Sequence, residues 1–113
     1  MMEEAVTKDK EKNLQLVMSI IVDAGNAKAL AVKAIKEAKI GNQDTAQATL
    51  KKARDVLTDA HNAQTEMLMQ EAQENYDVVT LLTVHSQDHL MTAITYCDLA
   101  TDFIDIYNKL NKF

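Results

Sequence analysis

The sequence predicts an all-α protein, an antiparallel up-down-up bundle of three long helices. Three observations carry this. The 113 residues contain no proline and only two glycines, Gly25 and Gly41, whereas sheets joined by tight turns need more of both. The chain is rich in Ala, Leu, Lys, Gln and Glu, which are strong helix formers. Apolar residues recur at steps of three and four, the spacing that lines one face of a helix. Short connections between such helices make neighbours antiparallel.

The first helix is expected from about Thr7 to Lys39, on the stripe Leu14, Val17, Ile20, Ile21, Ala24, Ala27, Leu30, Ala31 and Ile35. Gly25 interrupts it at a cost of up to ~1 kcal/mol relative to Ala. Close approach of a neighbouring helix would explain it, and so would a tolerated weak spot. Gly41 and Asn42 end this helix, with Gly41 suited to the left-handed position after a helix C-terminus, and Asp44 can cap the next. The second helix is expected from about Thr45 to Gln73, on Leu50, Ala53, Leu57, Ala60, Gln64 and Met67. The run Glu74-Asn75-Tyr76-Asp77 is the second break, and Asp77 or Asn75 can cap a third helix reaching Leu110. The whole chain, residues 1–113, reads as one domain.

Size and charge bound the function. Area scaling gives a folded surface of ~6,200 Å² against ~18,000 Å² unfolded, so a core forms without disulfides or metal. Lys and Arg number 12 against 17 Asp and Glu, a net charge of −5. That balance offers no basic footprint for nucleic acid. A single cysteine fits a reducing compartment. No uninterrupted apolar run approaches the ~18 residues that cross a bilayer, so no direct membrane insertion is expected. Met1 to Lys12 carries charges of both signs and no apolar core of a secretory signal, so the expected location is cytoplasmic.

The third helix carries the chemistry. Its stripe Val78, Leu82, His85, His89, Thr92, Tyr96, Leu99, Phe103, Ile106 and Leu110 is apolar at both ends and polar for two turns in the middle, with Asp88 bordering it. His61 and Gln64 on the second helix come to a similar height, with Gln64 inside that helix's own stripe. Polar groups within an apolar stripe cost free energy unless partnered, so their clustering points to function. Histidines four apart also have metal-ligand spacing, so a bundle binding a transition metal through His61, His85, Asp88 and His89 is the alternative. A purely structural bundle is a third. Leu90, Ala93, Ile94, Cys97, Ala100, Ile104 and Tyr107 form a second apolar stripe on the same helix. One helix with two such stripes has more to bury than a single small bundle needs, which points to subunit association.

The segment Val84-His85-Ser86-Gln87-Asp88-His89-Leu90-Met91-Thr92 resembles the active-site segment of the enzyme IIA component of lactose/cellobiose-type sugar phosphotransferase systems. Ala60 to Leu68 and Ala24 to Ala27 are similar to the family at matching spacing, and the likeness runs from about Leu14 to Leu110. The chain lacks the proline common before the third helix and carries extra N-terminal residues. The resemblance implies a homotrimer with its third helices along the threefold axis. It implies that His85 takes a phosphoryl group from the phosphocarrier protein HPr and passes it to a cysteine of the cognate IIB component. IIB then phosphorylates the sugar, a disaccharide of the cellobiose, lactose or chitobiose class, as the membrane component IIC moves it. It further implies that Asp88 from three subunits holds one Mg²⁺ on the axis. Imidazole is the side chain suited to accept phosphoryl near neutral pH, and donors must then hold the phosphoryl oxygens. His89, Thr92, His61 and Gln64 are candidates. Gln87 is turned about 160° from His89 by helical spacing, which suits contact with a neighbouring subunit or a structural role.

Overall fold

The computed structural model describes residues 2–75 and 78–112. They form α1 (Met2–Lys39), α2 (Gln43–Ala72) and α3 (Leu81–Leu110), with no strand among the described residues. All three pairs of helices pack together, α2 and α3 touching least, and the body measures 67 × 21 × 16 Å.

The first turn is read correctly by the sequence. Gly41 has φ +91°, the Asn42 N–H donates to the Glu37 carbonyl at 2.9 Å, and the Gly41 N–H donates to that of Ala38 at 3.0 Å. These two bonds close the end of α1 in a Schellman motif. The helix starts need correction. α2 begins at Gln43, so Asn42 holds the N-cap position, without a side-chain cap bond. Asp44 lies inside the first turn, where its charge faces the positive end of the helix dipole instead of capping it. α3 begins at Leu81, because extended Thr80 accepts the Thr83 N–H on its Oγ1 at 3.2 Å. Asn75 belongs to the end of α2, donating its N–H to the Gln70 carbonyl at 2.9 Å, and Asp77 lies outside the described residues.

The seams between helices are built from small side chains. Ala27, Ala31, Ala34 and Ala38 of α1 cluster with Ala46 and Ala53 of α2 and Ala100 of α3, and Ala24, Ala60 and Ala93 are buried as well. Alanine at a helix contact lets backbones come close. Ile20, Leu90 and Ile104 are the large residues fully enclosed. A Cβ on Gly25 would meet nothing within 4 Å, so close approach within one chain does not explain it. Within Lys10–Lys39, α1 holds a window long and apolar enough in mean composition to cross a membrane, although polar residues interrupt it. Its buried Ile20, Ala24, Ala27, Ala31 and Ala34 are spent on the bundle.

On α3 the bundle takes the second apolar stripe. Ser86, Leu90, Ala93, Cys97, Ala100 and Ile104 are buried. Leu82, Leu99, Phe103, Ile106 and Leu110 of the first stripe are exposed. The stripe bearing the histidines is therefore turned away from this chain's own core.

Candidate functional site

The site is built on the first three turns of α3, fixed by the Thr80 cap. His85 projects to solvent, and His89 is half-buried one turn further on. Their rings meet edge to face, centroids 4.4 Å apart and planes at 83°. Spacing of four residues on a helix places two side chains on one face, and here it brings both imidazoles into contact. Asp88 is exposed beside them and makes no ion pair among the described residues. Thr92 is exposed one turn beyond Asp88, lining a shallow depression with Met91, Thr95, Tyr96 and Leu99.

Two of the expected supporting residues find each other. Gln64 Nε2 donates to Gln87 Oε1 at 2.7 Å, joining α2 to α3. Gln87 Nε2 then donates to Ser86 Oγ at 3.3 Å, and Ser86 Oγ–H donates to the Thr83 carbonyl at 2.6 Å. Within one chain Gln87 is thus committed to Gln64. Ser86 and Thr83 enter this network without having been singled out for it. Stepping the buried stripe back four residues from Leu90 reaches Ser86, a hydroxyl on an otherwise apolar face, and that was the available signal.

His61 is not brought to the cluster. The height was right, since Ala60 and Ala63 share a core cluster with Leu90. The face is not: His61 is exposed, and its carbonyl accepts from Thr65 Oγ1 in addition to the helix's own bonds. Among the described residues no three His, Cys, Asp or Glu side chains gather as a metal site, so the four-ligand transition-metal reading finds no support within the chain.

The sequence matches the family described as "PTS system, Lactose/Cellobiose specific IIA subunit" over residues 15–108. The chain belongs to this family. Every candidate site residue, from His61 to Thr92, falls inside the matched span. The IIA chain is 39% identical over 102 residues to the lichenan-specific phosphotransferase enzyme IIA component of Bacillus subtilis, covering 90% of this chain and 93% of that one. It is 45% identical over 95 residues to the cellobiose-specific EIIA component of Lactococcus lactis, covering 84% and 82%. Its fold superposes on the cellobiose-specific enzyme IIA of Bacillus anthracis with a TM-score of 0.86 at 38% identity, covering 88% and 92%. It also superposes on the IIA(Chitobiose) structure solved with HPr from Escherichia coli, with a TM-score of 0.77 at 36% identity, covering 88% and 96%. The chain is therefore a IIA-type component of a sugar phosphotransferase system, built as a three-helix bundle.

Proposed function

We propose that this IIA subunit carries phosphoryl on His85 between HPr and the cysteine of a cognate IIB component, for uptake of a disaccharide through IIC. The observation that carries this is an imidazole exposed to an incoming donor and braced edge to face by a second imidazole 4.4 Å away, in a chain of this family. The HPr complex of the IIA(Chitobiose) relative supports the donor assignment. A ring nitrogen of His85 attacks phosphorus, and its N–P bond forms as the donor's bond breaks. The thiolate of IIB then attacks the same phosphorus, the S–P bond forms, and the imidazole is released. Such transfer is mainly positioning and charge stabilisation. His89 is placed to hold the His85 ring or to donate to a phosphoryl oxygen, and Thr92 presents a hydroxyl on the neighbouring turn. The subunit works in the cytoplasm, as a trimer closed through the free face of α3.

In that trimer three Asp88 carboxylates would converge on the axis. Asp88 fits a metal-holding role in its chemistry, being an exposed hard oxygen donor with no cation of its own among the described residues. Bound there, Mg²⁺ would supply charge neutralisation between subunits, not a step of the transfer.

Intact-mass spectrometry after incubation with phosphoenolpyruvate, enzyme I and HPr tests the carrier role. One acid-labile phosphoryl group on the wild type and none on His85→Ala is the expected result. A folded wild type that takes up no phosphoryl group would sink the proposal.

A further inference from the structure

We infer that Gln64 is a positioning residue for His85, acting through a directed relay of hydrogen bonds from α2 to the turn that carries the histidine. The inference rests on the phosphocarrier reading. Gln64 Nε2 donates to Gln87 Oε1, Gln87 Nε2 to Ser86 Oγ, and Ser86 Oγ–H to the Thr83 carbonyl, at 2.7, 3.3 and 2.6 Å. The relay touches α3 on both sides of His85, at Thr83 before it and at Ser86 and Gln87 after it. α2 and α3 are the pair of helices that touch least. Among the described residues two side-chain hydrogen bonds join them, and the other, Arg54 to Thr101, lies at the opposite end of the bundle. A hydroxyl bonded back to a carbonyl three residues earlier adjusts the local helix geometry, so the Ser86 bond sets how the His85 turn sits. Gln64 and Gln87 are half-buried, so an amide left without its partner there costs more than it would at the surface.

Direction gives the relay its test. A donor at position 64 leaves Oε1 of Gln87 facing α2 and its NH₂ facing Ser86. An acceptor alone at that position turns the Gln87 amide round, placing Oε1 against Ser86 Oγ. The single Ser86 proton then serves either Gln87 or Thr83. Lysine at position 64 keeps the direction, glutamate reverses it, and methionine removes the bond at similar length.

The experiment measures steady-state phosphoryl acceptance from phosphorylated HPr by wild type, Gln64→Met, Gln64→Glu, Gln64→Lys and Gln87→Met, with histidine ¹⁵N spectra of each. Gln64→Met and Gln64→Glu should lower kcat about tenfold with KM for phospho-HPr within about twofold, and should move the His85 ring resonances; Gln64→Lys should stay within about threefold of wild type in kcat. Gln87→Met breaks the same relay from the other end and should match Gln64→Met, which covers a Gln64→Met chain that does not fold. Met variants within twofold of wild type, or Gln64→Lys as slow as Gln64→Met, would overturn the inference while leaving the carrier role intact. A wild type that accepts no phosphoryl group overturns the carrier role and the inference with it.

Discussion

Cys97 sits on the buried face of α3, its Sγ 4.0 Å from the Ala27 carbonyl oxygen. Burial pushes its pKa up; Arg54 opposes this and Asp98 adds to it. A thiol that holds its proton is a poor nucleophile. Ellman's reagent at pH 8 should therefore react with the folded chain at least about tenfold more slowly than with the chain in urea. The folded thiol keeps its proton to higher pH than the unfolded one, so its contribution is complete below the unfolded pKa and is lost as pH rises through the folded value. Asp88 is the contrasting residue, exposed on the same helix. If the proposed trimer holds Mg²⁺ through Asp88, Asp88→Leu should leave the assembly intact and abolish metal binding, measured by light scattering and metal analysis together; a mutant trimer still holding the metal refutes the assignment. Single residues also mark where reading the sequence stops. His85 and His89 were legible because a spacing of four on a helix fixes their contact. His61 was not, because one residue of offset from Ala60 turns a side chain by about 100° and moves it from seam to solvent.

At the scale of elements, the two helix ends before the turns are built alike from unlike residues. Glu74 has φ +61°, with its N–H donating to the Glu71 carbonyl and that of Asn75 to the Gln70 carbonyl, both at 2.9 Å. This is the arrangement Gly41 adopts at the end of α1, here with a side chain in the left-handed region. Glu74→Gly should stabilise the chain by about 0.5–1 kcal/mol, and Gly41→Ala should destabilise it by about 1 kcal/mol. Thermal melts at one protein concentration check both, and a Glu74→Gly chain that melts lower would contradict the account. The end of α1 was legible because glycine announces a left-handed residue. The end of α2 was located only to within its four-residue break, because a glutamate in that conformation announces nothing. The start of α3 was misplaced because Asn and Asp are the better-known caps, and Thr80 with Thr83 three residues on gives a quieter signal.

The whole molecule has an apolar face too many. Ser86, Leu90, Ala93, Cys97, Ala100 and Ile104 point into the bundle, and Leu99, Phe103, Ile106 and Leu110 lie about 130° round the same helix. Leu99, Phe103 and Ile106 are 51%, 47% and 51% exposed. The accessible surface is 7742 Å², and a compact monomer of this mass has about 6,200 Å². Two apolar stripes on one helix were visible in the sequence. Which of them closes the bundle was not, because that depends on the small residues of α1 and α2. The bundle encloses Ala93 and Ala100 and leaves Phe103 outside it. A free stripe of large side chains from Leu99 to Leu110 of α3 is the surface through which copies should associate. Ile106→Glu places a carboxylate in the middle of that stripe, away from the histidines and from every buried position. Burying an unpaired charge costs about 3 kcal/mol or more per subunit, so association should weaken more than about 100-fold. Sedimentation velocity at micromolar concentration should show a trimer for the wild type and a folded, helical monomer for Ile106→Glu. A mutant that remains trimeric would mean that the copies meet on another face.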